Sequence, residues 1–522
     1  MTTTYNLADL FEQAVDEWPD RMCVTDDHQR RTFAELDERA NRLAHHLAAQ
    51  GIGPGDHVGI YALNRVEWVE TLWAVFKLRA VWININYRYV EDELAYVFRD
   101  AALTYLVVAP EFVDRARLVA PDLPMLVIGP EFEAAMAASS PDRDFAQRSD
   151  DDLYVLFTGG TTGMPKGVVW RHEDVVMALG SGIDVRTGEK VANPQGFLER
   201  GRNGFHMLCL PIAPLMHGAT QWALMGQSIV GNSNVLRARF DPHEIWRSVQ
   251  AEKANLIMIT GDAMARPLLD ALDEPGVHYD LSSFFVLSSS AVLFSQTNKD
   301  RFLDHFPNLI ISDAIGSSES GANGITIVSR GALMKGGPTV TASRDAVVLD
   351  DDLRPIAAGS GTIGRLARSG NIPVGYLNDP VKTAATFVIG ANGVRYVMPG
   401  DFAQVEEDGS ITMLGRGSVS INTGGEKVFP EEVENALKAH PGVADAVVVG
   451  LPDERWGERI TAVVQAVPGI EVTLDNVRAH CRALIAGYKL PRQVVLVAEV
   501  QRSPAGKTDY RWAKRIASEA EE

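Results

Sequence analysis

A loop rich in hydrogen-bond donors lies within residues 154–168. A short apolar run typical of a strand leads into a segment with four glycines, three threonines and one lysine. Glycines let backbone N–H groups turn toward an anion, threonine hydroxyls add donors, and Lys166 adds positive charge. The sequence therefore predicts a loop that binds a polyphosphate. The residues predicted to contact the nucleotide here are Thr158, Gly159, Gly160, Thr161, Thr162, Gly163 and Lys166.

The position of the lysine distinguishes this loop from a Walker A loop, in which a Gly-Lys-Ser/Thr sequence opens a helix. Lys166 instead stands between Pro165 and Gly167. A plain Gly/Thr turn between two strands is the alternative interpretation. The density of donors favours phosphate binding.

An acidic turn follows a candidate strand at residues 313–319. Glu319 is the carboxylate of this Gly/Ser turn, and Mg²⁺ prefers one or two carboxylates together with phosphate oxygens. Glu319 is therefore predicted to hold the Mg²⁺ of a bound nucleoside triphosphate. A solvated acid in a turn is the alternative if this motif is taken alone.

Two other motifs suggest different functions, but the sequence around each of them does not fit. Residues 359–364 satisfy the GxGxxG pattern, but a polar stretch precedes them and residues 365–370 are too short for the required helix. Residues 288–290 form a serine run without the GxSxG elbow of a serine hydrolase. Neither a dinucleotide-binding fold nor a serine hydrolase is expected.

Taken in order, the phosphate loop, the acidic turn and three later motifs resemble the adenylate-forming superfamily. The later motifs are Met-Pro-Gly-Asp ending at Asp401, Leu-Gly-Arg ending at Arg416, and the segment 502–508 around Lys507. The superfamily comprises acyl-CoA synthetases, nonribosomal adenylation domains and luciferases. The resemblance extends over essentially the whole chain.

The resemblance implies roles for individual residues in nucleotide binding. Asp401 and Arg416 match the residues that contact the ribose, and a carboxylate suits hydroxyl donors. Lys507 matches a catalytic lysine that reaches the carboxylate substrate and the α-phosphate, where its charge would offset the repulsion between two anions. The other residues expected to line the nucleotide site are Ser290, Ala291, Asp313, Ala314, Ile315, Gly316, Ser317 and Ser318. Ile315 and Ser318 stand where the family usually has an aromatic residue and a threonine.

The resemblance also implies an acyl pocket and a path for a thiol acceptor. His217, in the motif 214–218, matches a histidine that gates the acyl pocket and completes the expected catalytic set with Lys507 and Glu319. Gly424, Gly425 and Lys427 match the loop beside the pantetheine tunnel of CoA ligases. At the hinge, Ser418 replaces the usual Asp or Lys; hinges tolerate small residues.

The elements that must position these residues alternate between amphipathic helices and short buried strands, which indicates an α/β fold with covered sheets. Helices are predicted at 6–17 and 32–50, the second with a capping box of Thr32 and Glu35. Residues 180–204 are predicted to be a long surface loop or an insertion. Short strands after about residue 335 predict a smaller β-rich subdomain. The resemblance implies a large N-terminal domain of stacked α/β sheets at 1–415, a hinge at 416–418 and a small mobile α+β domain at 419–522.

The overall composition excludes several classes of protein. A chain of 522 residues with 46% hydrophobic residues can bury large cores and should divide into domains. Its net charge of −19 argues against nucleic-acid binding and against docking on an anionic membrane. We find no secretory signal and no apolar run of about 18 residues, the length of a membrane span. Three sparse cysteines fit a reducing compartment, so a cytoplasmic protein is expected.

The expected activity is activation of a carboxylic acid with ATP and Mg²⁺ through an acyl-adenylate, then transfer to coenzyme A. The phosphate loop, its continuation through Trp170, and Ser288–Ser290 look most like bacterial ligases for bulky acids, including sterol side-chain ligases. An amide-forming ligase with an amine acceptor and a non-catalytic ATP or CoA sensor are the alternatives. The oligomeric state, including a homodimer, stays open.

Overall fold

The computed structural model describes residues 4–158, 164–178, 182–183, 189–290, 292–328, 338–423, 426–453, 456–502 and 508–520. In chain order its α-helices are α1 (Leu7–Glu17), α2 (Phe33–Ala49), α3 (Val66–Lys77), α4 (Glu91–Asp100), α5 (Val113–Val119), α6 (Pro130–Ala137), α7 (His172–Ala178), α8 (Gly196–Asn203), α9 (Gly218–Ile229), α10 (Pro242–Glu252), α11 (Asp262–Asp273), α12 (Gln296–His305), α13 (Pro380–Thr386), α14 (Pro430–Lys438), α15 (Leu474–Cys481) and α16 (Tyr510–Glu519).

The strands before residue 328 contribute to two mixed sheets. They are β1 (Met22–Thr25), β2 (Arg30–Thr32), β3 (His57–Tyr61), β4 (Val81–Asn84), β5 (Tyr105–Val108), β6 (Met125–Val127), β7 (Leu153–Thr158), β8 (Lys166–Arg171), β9 (Leu208–Pro211), β10 (Ser233–Val235), β11 (Leu256–Ile259), β12 (Val286–Ser290), β13 (Ile310–Ser317) and β14 (Gly321–Ile327). Strands β9, β11, β12 and β13 are parallel neighbours in one sheet. In the other, β6, β5, β3, β4 and β7 are parallel, and β8 returns antiparallel to β7.

The remaining strands are largely antiparallel. They are β15 (Thr339–Ala342), β16 (Ala346–Leu349), β17 (Ile363–Arg368), β18 (Gly375–Tyr376), β19 (Phe387–Ile389), β20 (Arg395–Val397), β21 (Asp401–Val405), β22 (Ile411–Arg416), β23 (Ile421–Thr423), β24 (Glu426–Val428), β25 (Val443–Asp453), β26 (Gly457–Ala466) and β27 (Gln493–Val497). Strands β15 to β17 and β19 to β22 extend the first sheet, whereas β18 pairs with β8 at the edge of the second. Strands β23 to β27 form a separate C-terminal sheet, which includes the long antiparallel pair β25 and β26.

Local sequence signals explain where the first helices begin. The Asn6 side chain accepts a hydrogen bond from the Ala8 N–H and caps α1. Thr32 and Glu35 form the predicted capping box of α2. Both helices bury an apolar face, and Phe11 of α1 stacks on Trp73 of α3 with ring centroids 4.2 Å apart. The same buried cluster includes residues of β7 and β8, whereas β11, β12 and β13 pack in a second cluster.

The helices predicted at 6–17 and 32–50 are present, and one predicted loop needs correction. The predicted surface loop at 180–204 contains α8, because Phe197 is buried on that helix and gives it an apolar contact. The β subdomain also contains α13, which Asp379 caps through the Lys382 N–H, with Pro380 in the first turn. The junction at 416–418 is the end of β22 followed by a 3₁₀ turn at Gly417–Val419. Over the described ranges, none of the helices has the length and apolarity needed to cross a bilayer.

Candidate active site

The phosphate loop closes a β-hairpin. Strands β7 and β8 are antiparallel, and Thr158 lies directly opposite Lys166 at the open end of the ladder. Residues 159–163, with the predicted contacts of Gly159, Gly160, Thr161, Thr162 and Gly163, lie outside the described residues. The two described ends of the loop are therefore fixed by strand pairing.

Buried Asn84 joins the phosphate-loop strand to the segment that carries His217. Its Nδ2 donates to the carbonyl of Phe157 at 2.9 Å and to that of Met216 at 2.7 Å. Its Oδ1 accepts from the Phe157 N–H at 2.7 Å. Since Phe157 precedes Thr158 and Met216 precedes His217, one side chain sets the spacing between the two predicted motifs.

His217 is the residue before α9, where the chain passes close behind β7. It is half-buried, and its carbonyl accepts from the Gln221 N–H at 3.2 Å. A Cβ on the next residue, Gly218, would stand 2.4 Å from Cδ2 of Leu156 in β7. The glycine is needed because a side chain has no space there.

The carboxyl ends of β11, β12 and β13 form the floor of the candidate site. Ser290 lies opposite Ala314 in the parallel ladder, and the Gly261 N–H donates to Oγ of Ser289 at 3.2 Å. Ligands of parallel α/β sheets bind at this edge. Ala291 lies outside the described residues.

The side chain of Asp313 forms an ion pair with Lys299. It is buried, and its carboxylate accepts from Lys299 Nζ at 2.7 Å. Burial raises the pKa of Asp313 above its ordinary value, although the charge of Lys299 opposes that rise. Its side chain therefore anchors β13 to α12.

The acidic turn after β13 is held by its own serines and by β8. Oγ of Ser317 accepts from the Ser320 N–H at 3.1 Å. The indole N–H of Trp170 donates to the carbonyl of Ser318 at 3.0 Å. Gly316 is exposed, and a Cβ there would stand 2.4 Å from the Gly321 carbonyl. Glu319 is thus presented on a turn fixed at both ends.

One short segment, residues 375–379, contacts both Glu319 and Lys166. The Tyr376 hydroxyl donates to Oε1 of Glu319 at 3.0 Å. Asp379 forms an ion pair with Lys166. The hydrogen bond from Lys166 is the main cause that lowers the pKa of the Asp379 carboxyl.

These contacts bring the phosphate loop and the acidic turn together, although they are far apart in sequence. Sequence reasoning missed Tyr376, Asp379 and Asn84. An Asp-Pro pair is a recognisable helix-start signal, but it predicts only the cap of α13. Hydrogen bonds between distant segments leave no local pattern.

Asp401 and Arg416, the predicted ribose contacts, are neighbours across two strands. They are cross-strand partners in the antiparallel pair of β21 and β22. Gly400 has a φ of +108°, and its carbonyl accepts from the Gly417 N–H at 3.1 Å. The hydrogen bond between Gly417 and Gly400 closes the strand pair next to Asp401 and Arg416.

In the C-terminal domain the structure describes Lys427 and the residues that flank the segment with Lys507. Lys427 lies in β24, while Gly424, Gly425 and Lys507 lie outside the described residues. At the base of the Lys507 loop, Arg502 bridges to Thr508 in the backbone and donates to its hydroxyl at 3.1 Å. Arg502 also forms two hydrogen bonds of 2.7 Å with Asp445.

Asp445 is the centre of a buried ion cluster with Arg502 and Lys438. Lys438 Nζ lies 3.0 Å from Oδ1 of Asp445 and 3.9 Å from Asp262 of the N-terminal domain. Burial disfavours the charged form of Asp445, but Lys438 and Arg502 outweigh it and hold its pKa well below the ordinary range. The cluster therefore links Arg502 to Asp262 at the start of α11.

The donor set near Glu319 fits Mg²⁺ bound with a nucleotide. Within the described parts of the chain, no group of three or more His, Cys, Asp or Glu side chains could hold a metal ion. A site with a single carboxylate needs phosphate oxygens and water as its other ligands, which is how Mg²⁺ is usually bound with nucleotides.

Two family models match this chain. One, described as AMP-binding enzyme, covers residues 11–376, and the other, the AMP-binding enzyme C-terminal domain, covers residues 432–507. The chain therefore belongs to the AMP-binding enzyme family, and it is an AMP-forming ligase. The predicted resemblance to adenylate-forming enzymes is confirmed.

Individual relatives are similar over nearly their whole length. The chain is 52% identical over 529 residues to the 3-oxocholest-4-en-26-oate–CoA ligase of Rhodococcus rhodochrous, covering 98% of this chain and 95% of that protein. It is 50% identical over 530 residues to the medium/long-chain-fatty-acid–CoA/3-oxocholest-4-en-26-oate–CoA ligase of Mycobacterium tuberculosis (strain ATCC 25618 / H37Rv), covering 98% and 96%.

Solved structures support the fold. The anthranilate CoA ligase AuaEII in complex with anthranoyl-AMP superposes with a TM-score of 0.85 at 22% identity, covering 100% of this chain and 99% of that one. ATP-bound MatB from Rhodopseudomonas palustris superposes with a TM-score of 0.84 at 23% identity, covering 99% and 100%. The predicted α/β architecture with a C-terminal domain is confirmed.

Proposed function

We propose that this enzyme is an acyl-CoA synthetase for a long or bulky cyclic carboxylic acid, with sterol side-chain acids as the first candidates. The observation that carries the assignment of the site is the shared contact at residues 375–379. There, a lysine of the phosphate loop and the carboxylate of the acidic turn meet one segment. The substrate class is supported by the 52% identity to a ligase of 3-oxocholest-4-en-26-oate.

In the first half-reaction a substrate carboxylate oxygen attacks the α-phosphorus of ATP. A carbon–oxygen–phosphorus linkage forms and pyrophosphate leaves. Lys166 would bind phosphate oxygens, Asp401 and Arg416 the ribose, and Lys507 the attacking carboxylate and the α-phosphate. Lys166 and Lys507 would place positive charge near phosphate and carboxylate oxygens, Asp401 would accept from the ribose hydroxyls, and Arg416 would donate to ribose oxygens.

Mg²⁺ would be held through Glu319 and the nucleotide phosphates. When bound, it supplies charge neutralisation on the phosphate oxygens. Of this chain's own residues, Tyr376 and Trp170 fix the turn that presents Glu319.

In the second half-reaction the thiol of coenzyme A attacks the carbonyl carbon of the adenylate. A thioester forms, AMP leaves, and the thiol proton passes to solvent. Coenzyme A is the proposed acceptor because both relatives described above are named as CoA ligases. Gly424, Gly425 and Lys427 are proposed to line its path after rotation of residues 419–522 about the hinge at 416–418.

We also place the enzyme in a reducing compartment, the cytoplasm. Cys23, Cys209 and Cys481 are all free and buried. Free thiols persist where disulfides do not form.

The decisive experiment measures products for a panel of acids. Pyrophosphate and AMP should appear from ATP only with an acid present, and a thioester only when coenzyme A is added. Sterol side-chain acids and long-chain fatty acids should exceed short-chain and benzoic acids in kcat/KM. Release of ADP and phosphate would overturn adenylation, and efficient amide formation with amines in place of coenzyme A would overturn the acceptor.

A further inference from the structure

Backbone hydrogen bonds and ring packing hold Tyr376 in place, and its hydroxyl contacts the carboxylate of Glu319. Its backbone N–H donates to Oγ1 of Thr383 at 2.9 Å, and the N–H of Leu377 donates to the Gly167 carbonyl at 2.8 Å. The ring is buried and packs edge-on against Phe387, with centroids 6.0 Å apart. A side chain held this way has lost its rotamer freedom before any ligand arrives.

We infer that Tyr376 is a positioning residue that orients Glu319 for binding of the Mg²⁺–ATP complex. This inference rests on the proposed function, because it takes Glu319 as the protein's ligand to Mg²⁺. Tyr376 itself touches neither the metal nor the substrate in this assignment. It acts through the 3.0 Å hydrogen bond to Oε1.

The chemistry of a single-carboxylate site explains why such a residue is needed. Mg²⁺ demands nearly ideal octahedral geometry, and a lone glutamate on a turn has several rotatable bonds. A hydrogen bond to one oxygen selects one orientation of the carboxylate and leaves Oε2 for the metal. Residues that orient a metal ligand typically change metal affinity about 10- to 100-fold when they are lost.

Tyr376 also faces the phosphate loop. Nζ of Lys166 lies 5.8 Å from the centroid of the Tyr376 ring. A cation over the face of an aromatic ring is attracted to it. The same ring thus contacts the cation predicted to bind phosphate and the carboxylate predicted to bind the metal.

The test is Tyr376→Phe, which removes only the hydroxyl. ATP binding without acid is measured by calorimetry, once with Mg²⁺ and once with EDTA. We expect the Mg²⁺-dependent gain in ATP affinity to fall about 10-fold or more, with affinity in EDTA unchanged. In turnover assays the half-saturating Mg²⁺ concentration should rise by a similar factor, and saturating Mg²⁺ should restore kcat.

Tyr396→Phe is the matched control. Tyr396 is also a buried tyrosine, and its hydroxyl accepts from Asn392 at 2.9 Å, within the antiparallel region of the first sheet. Its loss should leave the Mg²⁺ dependence unchanged. If Tyr376→Phe lowered ATP affinity by the same factor with Mg²⁺ and with EDTA, its effect would be structural and the inference would be wrong. The same would follow if Tyr396→Phe reduced the Mg²⁺-dependent gain as much as Tyr376→Phe does.

A double-mutant cycle separates this inference from the proposed metal site. Glu319→Gln alone should abolish most of the Mg²⁺-dependent gain, and adding Tyr376→Phe should then change it less than twofold, because interacting residues are not additive. Additive effects would overturn the role of Tyr376. An unchanged Mg²⁺ dependence in Glu319→Gln would instead overturn the proposed metal ligand.

Discussion

Asp401 lies directly opposite Arg416 in the antiparallel pair of β21 and β22. The two residues therefore meet at one edge of the ladder, where Gly400 and Gly417 close the backbone. This cross-strand relationship places side by side two residues that are predicted to contact the ribose from separate motifs.

Asp401→Asn should weaken ATP binding by losing charged acceptance from the ribose hydroxyls. A hydrogen bond to a charged group contributes about 1.5–3 kcal/mol, so KM for ATP should rise about 10-fold or more. The parent enzyme should also prefer ATP to 2′-deoxy- and 3′-deoxy-ATP, and Asp401→Asn should lose that preference. The ratio of kcat/KM values for the nucleotides checks this. Undiminished discrimination in the variant would show that Asp401 does not contact the ribose.

Gly218→Ala should destabilise the N-terminal domain, because its methyl would stand 2.4 Å from Cδ2 of Leu156. Overpacking of this kind costs about 1–3 kcal/mol. Leu156→Val removes the Cδ atoms, so the double variant should regain stability relative to Gly218→Ala. The measurement is the midpoint of urea unfolding.

Gly53→Ala is the control for that series. Nothing lies within 4 Å of a Cβ at Gly53, so its midpoint should hardly change. If Leu156→Val worsened Gly218→Ala, the close approach of β7 and α9 would not be the cause.

Lys507→Ala should separate the two half-reactions. Loss of one charge-stabilising group at a reacting centre typically costs about 10²- to 10³-fold. Adenylate formation, followed as acid-dependent exchange of pyrophosphate into ATP, should fall by at least that factor. Conversion of a supplied acyl-adenylate to the thioester should stay near the parent rate, because Lys507 is proposed to have rotated away by then.

Gly425→Leu should have the opposite effect, filling the thiol path while sparing adenylation. Equal loss of both half-reactions in Lys507→Ala would contradict the two-position mechanism. Unimpaired thioester formation in Gly425→Leu would contradict the assigned path.

His172 should make stability depend on pH. It is fully buried, and burial lowers its pKa from 6.5 to about 4. The negative charge of Asp152 opposes this lowering. Its Nδ1 accepts from the Leu7 N–H at 3.2 Å, which requires the neutral ring. The unfolded chain binds a proton below pH 6.5 that the folded chain does not, so stability should fall from about pH 6.5 to about pH 4.

One pKa unit corresponds to about 1.4 kcal/mol, so the free energy of unfolding can fall by a few kcal/mol over this pH range. Urea midpoints across this range should show a smaller pH slope in His172→Gln than in the parent. Changing the exposed His278 to Gln should leave the slope as it was. An identical slope in His172→Gln would assign the acid sensitivity to other groups.

Several features could be predicted from residues close together in the chain. The helices predicted at 6–17 and 32–50, the second with its capping box of Thr32 and Glu35, follow from local patterns. Helix α8 was missed because a single buried side chain, Phe197, gives little apolar periodicity. The class of enzyme was likewise predictable, since each motif is a short run with its own chemistry.

The sequence by itself determined the α/β class and the order of the motifs, because strand periodicity, glycine turns and residue types are local properties. It indicated the adenylate-forming chemistry through its resemblance to that superfamily. Only the tertiary structure decided which of these residues meet. Tyr376 reaches Glu319, Asn84 spans from Phe157 to Met216, and Asp313 pairs with Lys299. Such contacts depend on how sheets and helices pack, and packing brings together residues whose separation along the chain carries no signal.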